Sequence, residues 1–193
     1  EGDVRPDFED MHHFVYFIGA GPGHVRYLTL EGSDALSRCS LVYAVHPYPE
    51  TFADLLSGKT VLDPFERVFD ELTEEVGVEL ETAPVAFLVP GDLTVFSPFG
   101  PLVEHFDHRS RVIAGVGTLN AAASLLKRTL DMPGVSHSVM LTSPKLIDRE
   151  GQGEGLDRLA RAAGTLVLYM NNRPLGQLAS DLEGGFEPDT PVA

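Results

Sequence analysis

Apolar residues in this chain fall into two patterns. One is a set of short, nearly unbroken runs: FVYFI at 14–18, SLVYAV at 40–45, VAFLV at 85–89, RVIAGVG at 111–117, SHSVMLTS at 136–143 and TLVLYM at 165–170. Such runs are what strands buried on both faces require. The other pattern has helical spacing. Phe65, Val68, Phe69, Leu72 and Val76 stand at i, i+3, i+4, i+7 and i+11, which predicts an amphipathic helix over Pro64–Val76 with proline near its start. Further helices are expected after Ser33 with that serine as N-cap, near Glu50–Leu56, over Pro98–Phe106, along TLNAAASLLKRTL at 118–130, and at Leu175–Leu182 before Gly184-Gly185. A Gly- and acid-rich helical region separates the last two apolar runs, and PDTPVA at 188–193 reads as the opening of another strand.

Strands alternating with helices imply an α/β protein with mainly parallel sheets. The expected organisation is a polar tail at 1–12, an N-terminal α/β domain at 13–112 and a C-terminal α/β domain at 113–193. The second domain looks incomplete, because the sequence stops on a strand that has barely begun. Its 193 residues suffice to bury a sizeable core.

Charge narrows the class of ligand. Fourteen basic against twenty-nine acidic residues give a net charge of −15, a poor footprint for nucleic acid. Any anionic ligand needs a local cluster of cations. No apolar run approaches the length of a membrane span and no signal layout is visible, so neither a membrane nor a secreted location is expected. The single cysteine, Cys39, excludes an internal disulfide and suits a reducing cytoplasm.

Three glycine-bearing loops follow buried runs. GAGPG at 19–23 fits half of the dinucleotide fingerprint, with Gly19 and Gly21 in place. The third glycine position is His24, Pro22-Gly23 delays the helix, and the next run ends in VYAVHP without a carboxylate for a ribose. NAD is therefore not expected, and a tight strand-to-helix turn is the simpler reading. PGDLTVFSPFG at 90–100 places Gly91 and Asp92 at the carboxyl edge of a sheet, where open α/β folds bind ligands. Gly91 lets a ligand approach the backbone, and Asp92 either lies near a cation or caps the turn before the next helix. GVGTLNAAAS adds Gly117 and Thr118 at a third strand end, leaving room for a ligand or for close helix packing. No Ser-His-Asp order, C-x-x-C pair or H-E-x-x-H motif occurs, and the seven histidines are scattered, so no protein-bound metal is expected.

Together, GAGPGHVRYLTLEG, GDLTVFSPFG, AGVGTLNAAAS and TLVLYM resemble the tetrapyrrole (corrin/porphyrin) methylase family, from about Phe14 to Ala193. MPGVSHSVMLTS is most similar to the corresponding stretch of the family's precorrin-4 and cobalt-precorrin-4 C11-methyltransferases. The resemblance implies two α/β domains with S-adenosylmethionine in a cleft between them, S-adenosylhomocysteine as product, a tetrapyrrole of cobalamin biosynthesis as methyl acceptor, and a homodimer. It implies that Pro22 borders the cofactor, that Gly91 and Asp92 contact it and that Val95 packs beside it. Gly117, Thr118 and Met170 match further cofactor positions, and Ala193 falls on the last family strand before more of them.

Departures matter as much. His24 stands where the family loop has aspartate, Leu93 where it has proline, and the substrate-side Y-A-G-S-L segment is YAVHPYP here. Asp92 and His24 are the catalytic candidates. A tetrapyrrole's carboxylates would be received by cations such as Arg26, Lys127, Arg128, Lys145 and Arg173, with His46 also facing substrate. The alternatives are the same fold methylating another acceptor, or a family member that binds ligand without turnover.

Overall fold

The structure is a computed structural model, and it describes residues 13–150 and 155–193. The expected tail at 1–12 lies outside the described residues. The chain divides into two compact units that meet at Ala122/Ala123.

In the first unit the elements run β1 (Val15–Gly19), α1 (Leu30–Arg38), β2 (Leu41–Ala44), α2 (Tyr48–Thr51), α3 (Ala53–Leu56), β3 (Thr60–Leu62), α4 (Phe69–Glu79), β4 (Val85–Val89), α5 (Gly100–Phe106) and β5 (Ser110–Ile113), and α6 (Thr118–Leu126) starts here and runs past the divide. The five strands form one sheet in the order β3-β2-β4-β1-β5, every neighbour parallel. Residues alternate across it. Val15, Phe17, Tyr43 and Phe87 enter a core under α4 and α5, where the Phe87 ring stacks on Phe17 at 5.0 Å and on Tyr43 at 4.6 Å. Ile18, Val42, Ala86 and Leu88 enter the opposite core, under α1 and the segment Tyr48–Leu56. Each fully buried aromatic on these faces contributes roughly 2–3 kcal/mol by leaving water.

The strand order fixes where a ligand can sit. After β1 the chain moves toward β2 and β3, whereas after β4 it crosses β1 to reach β5. The carboxyl ends of β1 and β4 are thus a topological switch point, where loops leave in opposite directions and open a crevice.

Several boundaries differ from the sequence expectation for local reasons. Helix α1 begins at Leu30, and its N-cap is Thr29, whose Oγ1 accepts from the Gly32 amide at 3.1 Å; Ser33 lies inside the helix. Gly32 in its first turn packs closely on β1, where a Cβ would come within 2.8 Å of the Ile18 side chain. The helix expected over Pro64–Val76 is split. Asp63 caps a single 3-10 turn at Pro64–Glu66, and α4 starts at Phe69, the Glu71 carboxylate accepting from the Val68 amide. Phe65 and Val68 are consequently exposed rather than core. The helix near Glu50–Leu56 begins at Tyr48 and is interrupted at Phe52, and the helix placed at Pro98 begins at Gly100. Strand β3 was not anticipated.

The second unit contains β6 (Val139–Thr142), α7 (Pro144–Glu150), α8 (Leu156–Ala162), β7 (Thr165–Leu168) and α9 (Leu175–Leu182). β6 and β7 pair in parallel. Helices α8 and α9 pack closely enough that a Cβ on Gly185 would strike the Ala160 backbone. The strand expected at 188–193 is absent: the segment is coil after a turn in which the Thr190 amide donates to the Glu187 carbonyl. No helix among the described residues is long and apolar enough to cross a membrane.

Candidate functional site

Three strand ends of the first sheet interlock. The Ala20 amide donates to the Val89 carbonyl at 2.8 Å, and beyond it Gly21 and Gly91 exchange two hydrogen bonds at 3.0 and 2.9 Å. Both glycines have positive φ, +75° and +67°, a region that costs other residues strain. Gly115, just past β5, presses against this pair: a Cβ there would overlap the Gly91 carbonyl oxygen and the Gly19 backbone, and a Cβ on Gly19 would meet Gly115 in return. Backbone therefore packs on backbone where β1, β4 and β5 end.

Asp92 ties the same loops together. Its Oδ2 accepts from the Gly115 amide at 2.8 Å, and its Oδ1 accepts from the Thr94 amide at 2.8 Å and from the Thr94 hydroxyl. Partial burial alone would raise the carboxyl's pKa, but these hydrogen bonds outweigh it and hold the group below the usual carboxylate value. Asp92 is thus an anion with both oxygens engaged, and it turns the loop through half-buried Val95 and left-handed Phe96. The sequence left two roles open for it, capping the turn or facing a cation. The structure shows the first, and the retained charge leaves the second available.

Thr118 opens α6, and its Oγ1 would lie 3.2 Å from a Cβ on Gly91, so Gly91 and Thr118 face one another. Gly117 precedes it, its carbonyl accepting the Ala121 amide. Pro22 follows Gly21 directly and is half-buried, while a Cβ on Gly23 would meet nothing within 4 Å. The structure thus gathers Gly91, Asp92, Gly117 and Thr118 with the Gly21-Pro22 turn on one edge. The glycine cradle beside one carboxylate suits a small ligand that approaches the backbone and carries positive charge.

The polar candidates are placed less uniformly. His24 is exposed, and its Nδ1 accepts the Arg26 amide at 3.1 Å, capping a short 3-10 turn; that hydrogen bond assigns its proton to Nε2. Arg26 itself is exposed. The His46 Nδ1 lies 3.3 Å from the Glu50 carboxylate, both exposed. In the second unit, Lys127 and Arg128 follow α6 as exposed neighbours, Lys127 with φ +53°, and Lys145 is exposed on α7. Arg173, its side chain 14% exposed, is already engaged: its guanidinium is shared between the carboxylates of Asp148 and Asp181. Met170 follows β7, half exposed with φ +50°, and Ala193 is exposed coil.

Two residues that hold this edge together carry no sequence signal of that contact. Gly115 was read only as part of a strand, although the G-V-G spacing at the third strand end was visible. Tyr48 lies in YAVHPYP, noted only as a departure, and its hydroxyl reaches the Gly21 carbonyl at 2.5 Å.

The profile described as Tetrapyrrole (Corrin/Porphyrin) Methylases matches residues 14–193. The precorrin-4 C(11)-methyltransferase of Mycobacterium tuberculosis is 33% identical over 190 residues, covering 93% of this chain and 74% of the relative. A solved cobalt precorrin-4 methyltransferase shares the fold, with a TM-score of 0.77 at 20% identity over 90% of this chain and 75% of that one. The uroporphyrin-III C-methyltransferase of Thermus thermophilus, solved in complex with S-adenosylhomocysteine, superposes with a TM-score of 0.69 at 25% identity, over 91% of this chain and 78% of that one. On the match over residues 14–193 and the relative one-third identical, the chain belongs to the tetrapyrrole (corrin/porphyrin) methylases.

Proposed function

We propose that this protein transfers the methyl group of S-adenosylmethionine to a ring carbon of a precorrin-4-type tetrapyrrole in cobalamin biosynthesis. The observation that carries this reading is the one-third identity, across nearly the whole chain, to a precorrin-4 C(11)-methyltransferase. The interlocked glycine edge supports it, because it offers bare backbone and one ionised carboxylate at the switch point. In this reading Pro22, Gly91, Asp92, Val95, Gly117 and Thr118 hold the cofactor, with Met170 and Ala193 as further contacts. Exposed Arg26, Lys127 and Arg128, with His46, receive substrate carboxylates, and the active form is a homodimer.

Bound S-adenosylmethionine supplies an electrophilic methyl group on a positively charged sulfur. The residues then need to orient rather than to activate. Asp92 accepts from Gly115 and Thr94 and stays ionised, so its part is to brace the cradle and supply one negative charge beside a positively charged ligand. The nucleophile is the substrate's own electron-rich ring carbon. Holding two reactants at attack distance is worth up to roughly 7–11 kcal/mol.

Incubation with methyl-labelled S-adenosylmethionine and precorrin-4 tests the reading. Label is expected in the tetrapyrrole. Binding of S-adenosylhomocysteine without transfer to any precorrin would instead favour a ligand-binding family member without turnover. His24→Asp is expected to leave S-adenosylhomocysteine affinity within a few-fold while changing turnover, because aspartate also accepts the Arg26 amide as an N-cap. A large loss of affinity in calorimetry would show that His24 serves the cofactor itself.

A further inference from the structure

We propose that Tyr48 is a positioning residue, whose hydroxyl clamps the Gly21 carbonyl and so holds the Gly21–Gly23 backbone in the form that receives the adenosyl cofactor. The inference rests on the cofactor reading above and names a residue that the family motifs do not supply.

Tyr48 is 5% exposed and belongs to the core under α1, not to the surface. Its backbone amide donates to the Val45 carbonyl at 2.9 Å, and its ring stacks on Phe52 at 5.9 Å, so the side chain has one direction to point. Its Oη donates to the Gly21 carbonyl at 2.5 Å. That carbonyl also accepts the Gly91 amide at 2.9 Å, so both lone pairs are used. Tyr48 follows β2, which neighbours β4 and not β1. The hydroxyl therefore reaches across the end of β4 to the end of β1, at the switch point. Burial raises the phenol pKa, although the Gly91 and Gly23 amides act in the opposite sense.

Gly21 and Gly91 both have positive φ, and glycine backbone has many alternative conformations. Two hydrogen bonds between such residues leave the turn free to open. A third, from a rigid buried ring, restricts it. If the hydroxyl is lost and the competent turn falls to about a tenth of the population, apparent affinity falls about tenfold, while saturating cofactor restores the competent form.

Tyr48→Phe keeps the ring and removes only the donor. Calorimetry with S-adenosylhomocysteine and steady-state methyl transfer are expected to show Kd, and KM for S-adenosylmethionine, raised about tenfold with kcat within about twofold. Hydrogen exchange at the Gly91 amide of the unliganded protein should quicken. Leu80→Val, in the core on the other sheet face, is the stability control and should leave KM unchanged. Unchanged affinity and exchange in Tyr48→Phe, or an equal rise of KM in Leu80→Val, would overturn the inference while the wild type still binds cofactor. A wild type that binds neither S-adenosylmethionine nor its product would overturn the cofactor reading and this inference together.

Discussion

Gly115→Ala is expected to abolish S-adenosylhomocysteine binding and to lower stability by about 3 kcal/mol, the upper part of the usual cost of overpacking. The added methyl would enter the space held by the Gly91 carbonyl oxygen on one side and the Gly19 backbone on the other. Neither neighbour is the flexible end of a side chain, so strand ends have to move apart. Moving them breaks the Asp92 contact to the Gly115 amide and strains the paired turns at Gly21 and Gly91. In a domain of this size the melting temperature should fall by roughly 6–12 °C. Thermal unfolding and calorimetry together check this. A variant with unchanged melting temperature and affinity would show that the three strand ends are not in contact.

The second large effect is expected at Asp92. Asp92→Ala strands the Gly115 amide and both Thr94 donors. An unmet buried donor costs about 1–3 kcal/mol, and water can reach exposed Thr94, so a net loss of about 2 kcal/mol is expected. Affinity for S-adenosylhomocysteine should fall more than tenfold, because the loop that carries Val95 loses its anchor. The pH dependence separates charge from shape. Because the folded carboxyl titrates below its ordinary value of 3.8, its contribution is fully present above that value and fades as the pH falls through the folded pKa. Asp92→Asn should therefore flatten this part of the stability profile below about pH 4. An unaltered acid profile in Asp92→Asn would show that the carboxylate is not held by these donors.

Much of the fold was legible because buried parallel strands have a plain signature. VAFLV coincides with β4, and FVYFI and SLVYAV contain β1 and β2. Strand β3 was hidden, since three residues, TVL, at the sheet edge carry too little pattern. The split of the predicted Pro64–Val76 helix shows a limit of periodicity: Phe65 and Val68 have helical spacing but lie in the 3-10 turn and at the N-cap. Helix α1 begins three residues before the expected Ser33 cap, with Gly32 packed closely on the Ile18 side chain. At the site, the loops were legible only as glycine-bearing motifs at strand ends, each open to a purely structural reading as well. The contacts between them were not. The meeting of Gly115 with Gly19, of Asp92 with Gly115 and of Tyr48 with Gly21 depends on strand order, and local spacing carries no record of which strand lies beside which. The engagement of Arg173 by Asp148 and Asp181 was invisible for the same reason.

On this reading the cofactor lies on the glycine edge where β1, β4 and β5 end. A crystal structure of the protein with S-adenosylhomocysteine tests it most directly. Ligand density is expected against Pro22, the Gly91–Val95 loop and Gly117-Thr118. Density at any other surface, with that edge unchanged, would contradict it.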